Sequence, residues 1–111
     1  QAIAKRLAAA RQALLDVVDF IVKAAAHNPN AAYAGSVPYL MLAGNVIAGW
    51  QMARSFVVAH HALGQGDDAF MQAKMATARF YADHILTKAQ GLRDSIVEGA
   101  DSVTEMALDA F

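Results

Sequence analysis

Cysteine is absent from the chain. Disulfides, thiolate metal sites and cysteine nucleophiles are therefore excluded. A reducing compartment fits this, and a cytoplasmic location is the expectation. Charge is scarce as well: 17% of the 111 residues are charged, and the net charge is −1. Nucleic acid is not an expected partner, because such domains carry a basic excess or a clustered basic face. Lys5, Arg6 and Arg11 form the basic cluster, and Asp16 and Asp19 follow it closely, as on a solvated helix face. No segment alternates apolar and polar residues with period two, so no strand is predicted. The chain begins at Gln1 without a basic stretch leading into an apolar signal core, and it reads as a piece of something longer.

Apolar residues make up 57% of the chain, much of it alanine, the best helix former. Residues 1 to about 27 predict one helix. Ile3, Leu7, Ala10, Leu14, Val17, Ile21 and Ala25 recur at alternating spacings of three and four and form one stripe. Pro29 disfavours helix at Asn28, so residues 28–36 read as a loop. Ser36 is the expected cap of a second helix, with Pro38 in its first turn. Gly64 suits the left-handed turn that stops this helix, and Asp67 or Asp68 suits the cap of the next. A third helix is expected from about residue 68 to Gly99, bent if anywhere at Gly91. Ser102 and Glu105 match a capping box for a short last helix to about Ala110. The expected fold is all-α: an up-down antiparallel bundle of three long helices plus a short C-terminal helix, one domain over 1–111.

The chemistry-bearing residues do not converge. The four histidines fall at different levels of such a bundle, so no metal site is expected. Glu98 and Glu105 lack the Glu-x-x-His partners of a di-iron centre. The turn GQGDDA matches a dinucleotide fingerprint only in letters: a helix precedes it, and Asp67 and Asp68 would repel phosphate. No catalytic, cofactor-binding or metal-binding residue is assigned.

The stretch VPYLMLAGNVIAGWQMARSFVVAHHAL, residues 37–63, raises a different question. Asn45, Gln51, Arg54, Ser55, His60 and His61 interrupt it too often for a membrane span. Yet Leu40, Met41, Leu42, Val46, Ile47, Trp50, Met52 and Phe56 point in most directions around a helix. A helix apolar nearly all round must be covered nearly all round, and two neighbours in so small a bundle cannot do it. Part of it is expected to face another domain or subunit. Gly44, Ala48, Gly49 and Ala53 offer positions for close helix approach. Arg54 is expected to be a buried charge in need of a partner, with Asp16 and Asp83 within reach.

Three features carry a family resemblance: the YL-x-L-x-G-x-x-x-x-W pattern at Tyr39 to Trp50, the K-x-x-TARFYA segment at Lys74 to Ala82, and the terminal Phe111. Together they resemble the extra C-terminal helical domain of acyl-CoA dehydrogenase flavoenzymes, of the 3-methylmercaptopropionyl-CoA dehydrogenase type. Thr87 stands where relatives often have proline, which implies a straighter third helix. In that family FAD, the acyl-CoA substrate and the catalytic glutamate all belong to the preceding core. The resemblance therefore implies an accessory domain, structural in role, partnered by a dehydrogenase core or by identical subunits. Trp50, Arg54, Phe56, Lys74, Arg79 and Tyr81 are the interface candidates. A stand-alone self-association module is the alternative, using the second helix and two-fold symmetry.

Overall fold

A computed structural model describes residues 2–106 and 108–110. All the regular elements in it are helical. The first, α1, spans Ala2–His27. Its core side carries Ile3, Ala10, Ala13, Val17 and Ala24, with Leu7, Leu14 and Ile21 half-buried beside them. The expected stripe is present, except that Ala24 rather than Ala25 is buried at its end.

The segment expected to be a loop is mostly a short helix, α2, Pro29–Ala34. Pro29 does break α1, but it also occupies the first position of α2, where its missing N–H is not needed. The Gly35 N–H donates to Ala31 O at 3.3 Å, and Gly35 O accepts from Tyr39 N–H at 2.9 Å, so one residue ends α2 and opens the next helix. That helix, α3, is Ser36–His61. Ser36 is thus inside α3 and does not cap it; Gly35 holds the cap position without a side-chain bond.

The stop after α3 is as expected. Gly64 has φ +87°, and Gly66 and Asp67 follow it at +106° and +43°. The next helix, α4, is Asp68–His84. Its cap differs from expectation: Asp67 makes no capping bond, and the Asp68 carboxylate instead accepts the Gly64 N–H at 2.8 Å.

The third long helix is not continuous to Gly99. It breaks at a 3-10 turn, Leu86–Lys88, before α5, Ala89–Val97, which contains Gly91 without a bend. The cause is tertiary. Leu86 is buried against Gly49 of α3, where an added Cβ would stand 2.6 Å from Leu86 Cδ2. Thr87, expected to keep this helix straight, sits in the break, and its hydroxyl donates to Asp83 O at 3.0 Å. The capping box does not form either. Helix α6, Ala100–Thr104, already contains Ser102, whose hydroxyl donates back to Gly99 O at 2.9 Å. A 3-10 turn follows at Leu108–Ala110. Phe111 lies outside the described residues.

Helix α3 packs against α1, α4 and α5, giving the expected antiparallel bundle. Val17, Leu42 and Ile96, from α1, α3 and α5, are its largest fully buried side chains. The Tyr81 hydroxyl donates to Asn45 O at 2.8 Å and ties α4 to α3; partial burial raises its pKa. Most of the buried apolar residues are alanine, so helices approach closely around a thin core. The body measures 66 × 28 × 17 Å with a radius of gyration of 18.2 Å. A compact domain of this length would have about 13 Å. Large apolar side chains are left outside as a result.

Candidate functional site

Helix α3 has two apolar sides, and the bundle covers one. Leu42, Val46, Gly49 and Ala59 are buried. Leu40, Ile47 and Val58 are 72%, 59% and 67% exposed, and Val37 and Met41 join them. Helical periodicity places Leu42, Val46 and Gly49 on one face and Leu40, Ile47 and Val58 on the opposite one, with Met41 and Ala59 in line between them. Gly49 serves the expected close approach, to Leu86, whereas Gly44 opens outward with nothing near it.

Arg54 is on the uncovered side, so the expectation of a buried charge is corrected. The residue is exposed, and its guanidinium lies over the Trp50 ring, 5.0 Å from the centroid. One helical turn separates them, which makes the stacking local. Among the described residues Arg54 forms no ion pair, nor do Lys74 and Arg79. Lys74 instead stands over Phe70 at 5.6 Å, and Arg79 over Phe56 at 5.6 Å. Such contacts are worth about 0.5–1 kcal/mol at exposed sites.

A groove of about 330 Å³ runs between α3 and α4, with Arg54 and Lys74 among its walls and Gln51, Ser55, Val58 and Phe70 between them. The fold thus brings together Trp50, Arg54 and Lys74. Phe56 and Arg79 meet apart from the groove, with Phe56 packed on the core. Tyr81 has its hydroxyl committed to Asn45. The arrangement is an apolar surface carrying cations held by rings, suited to an apolar partner with carboxylates at its edge.

The charge centre that sequence reasoning missed is Arg93. Its guanidinium donates to Asp94 at 3.0 Å and Glu98 at 2.9 Å, and its Nε lies 3.5 Å from the Asp16 carboxylate. The hydrogen bond to Asp94 leads in raising its pKa; burial pulls the other way, and Glu98 and Asp16 add to the rise. Arg93 borders a 640 Å³ cleft between α1, α2, α5 and α6, rimmed by Asp19, Glu98 and Asp101. Its position beside the inward Leu92 was the available signal. Asp16, suggested for Arg54, serves Arg93. Two of the histidines pair with phenylalanine rings: His60 stacks on Phe56 at 6.5 Å, and His84 meets Phe80 at 4.5 Å. No cluster of three potential metal ligands occurs among the described residues.

Comparison with known proteins adds a family. Residues 1–107 match the family described as acetyl-CoA dehydrogenase C-terminal like. The chain is 43% identical over 109 residues to 3-methylmercaptopropionyl-CoA dehydrogenase of Ruegeria pomeroyi, a match covering 97% of this chain and 18% of that protein. It is 33% identical over 81 residues to the broad-specificity linear acyl-CoA dehydrogenase FadE5 of Mycobacterium tuberculosis, covering 69% of this chain and 13% of that protein. The chain therefore spans less than a fifth of the length of these relatives. No solved structure matches it significantly. On the match over nearly its whole length, the chain belongs to the acetyl-CoA dehydrogenase C-terminal-like family.

Proposed function

We propose that this chain is the accessory C-terminal domain of an FAD-dependent acyl-CoA dehydrogenase. It packs on the dehydrogenase core through the outer side of α3 and has no active site of its own. The observation that carries this reading is the apolar side of α3, left open beside two cations without carboxylate partners among the described residues. A surface of that kind marks an interaction site. The parent's chemistry, α,β-dehydrogenation of an acyl-CoA thioester, is assigned to the core.

The residues present do not suit a flavin. Its pyrophosphate needs free backbone amides, and in the glycine turn the Gly64 N–H is already taken by Asp68. The larger cleft sets Asp16, Asp19, Glu98 and Asp101 against Lys23 and Arg93, both already paired with acids, so its balance disfavours phosphate. The chain's contribution is mechanical. Leu40, Ile47 and Val58 lose water on docking, while Arg54 and Lys74 meet carboxylates at the rim, with Trp50 holding Arg54; Phe56, Arg79 and Tyr81 act away from this rim by fixing α4 on α3. Among the described residues no helix is long and apolar enough to cross a membrane. A cytoplasmic enzyme is the proposed setting.

The test compares Leu40→Asp/Ile47→Asp in the isolated chain and in the full enzyme. Melting of the isolated chain should barely change, while the full enzyme should lose several degrees of Tm and become prone to cleavage ahead of this domain. Equal effects in both settings would refute core docking. Tight binding of FAD or acyl-CoA by the isolated chain would refute the lack of a site.

A further inference from the structure

Helix α1 carries a second apolar line beside its core stripe. Ala4, Ala8, Arg11, Leu15, Val18 and Val22 follow one another at spacings of four and three in strict alternation. All are exposed, Leu15 at 44%, Val18 at 40% and Val22 at 66%. A repeat averaging 3.5 residues is the spacing of a seam between two helices. Among the described residues no helix lies on that seam.

The line is graded. Its first members, Ala4 and Ala8, are small, and its last, Val18 and Val22, are large. Two copies of α1 laid antiparallel about a two-fold axis level with Ala13 match small against large in the two outer layers. Ala4 then faces the partner's Val22, Ala8 the partner's Val18, and Arg11 the partner's Leu15. Arg11 can lay its stem on that leucine and keep its guanidinium in water. The charges fit the same register. Lys5 and Asp19 flank the line on one side, each following a seam residue. Antiparallel pairing sets Lys5 beside the partner's Asp19 twice over, with Gln12 beside the partner's Gln12 on the axis. Asp19 already pairs with Lys23 at 3.0 Å, so the partner's Lys5 would complete a Lys–Asp–Lys group. A parallel pairing gives Lys5 no acid, because the other flank is Leu7, Leu14 and Ile21.

We propose that this face of α1 binds a second copy of the chain in antiparallel, two-fold symmetric contact. The contact uses no residue of α3, so it stands or falls independently of core docking.

Sedimentation of the 111-residue chain over a concentration series tests it, with circular dichroism confirming that each variant stays helical. A monomer–dimer equilibrium is expected. Leu15→Glu should weaken it at least tenfold. Lys5→Glu and Asp19→Lys should each weaken it, and the two together should restore it. Because the chain lacks cysteine, Gln12→Cys also reads the orientation directly. A short bis-maleimide should link it to its own copy but should fail with Lys5→Cys, whose counterpart in the partner lies about 24 Å along the helix. A monomer at all concentrations, no restoration by the charge exchange, or self-linking at position 5 rather than 12 would overturn the proposal.

Discussion

Leu42 and Leu40 stand two residues apart on α3, yet the first is fully buried and the second is 72% exposed. The same contrast runs along the helix: Val46 and Gly49 inside, Ile47 and Val58 outside. Composition does not distinguish these sides. Neighbours do: α1, α4 and α5 close over one side and leave the other open. Burying a leucine stabilises by roughly 1.5–3 kcal/mol. Leu42 contributes this to folding, whereas Leu40 retains most of it for an association.

Three substitutions sharpen or break that contrast. The largest effect is expected from Leu42→Ala, about 2–5 kcal/mol of stability lost. It should appear as a lower denaturant midpoint with an unchanged slope. A loss below about 0.5 kcal/mol would mean that the inner side is not a core. Gly49→Val comes next. It overpacks the contact with Leu86 and should cost about 1–3 kcal/mol. Adding Leu86→Ala should recover part of this in a double-mutant cycle, since the two residues touch. The smallest effect belongs to the outer side: Leu40→Gln should change the stability of the isolated chain by no more than about 0.5 kcal/mol. A larger loss would show that Leu40 is covered in solution even without a core.

The parts of this fold that local pattern controls were legible. The stripe on α1 follows from spacing alone, and Gly64 stops α3 because few other residues accept its φ. Pro29 was ambiguous, since a proline that ends one helix also suits the first position of another. The break at Leu86–Lys88 carries no proline or glycine of its own; Thr87 was its local mark and was read the other way, while the close approach of Leu86 to Gly49 is distant in sequence. The site divides likewise. Arg54 over Trp50 and Lys74 over Phe70 are both one-turn contacts that spacing can suggest. Their meeting across one groove depends on how α4 is set against α3. Arg54 was expected to be enclosed and Arg93 was missed for the same reason: which arginine is enclosed depends on helix rotation, and Asp16 reaches Arg93 from the far end of the chain.

The 3-10 turn at Leu86–Lys88 also sets an angle. Such a helix advances about 120° per residue against about 100° in an α-helix, so three residues rotate α5 by roughly 60° beyond an unbroken path. Beyond the turn, Arg93 meets Asp16 and Ile96 enters the core. The turn works as a gear between the two halves of one helical arm. A change at Leu86 that lets the arm run straight would swing Arg93 off Asp16 without altering either charge.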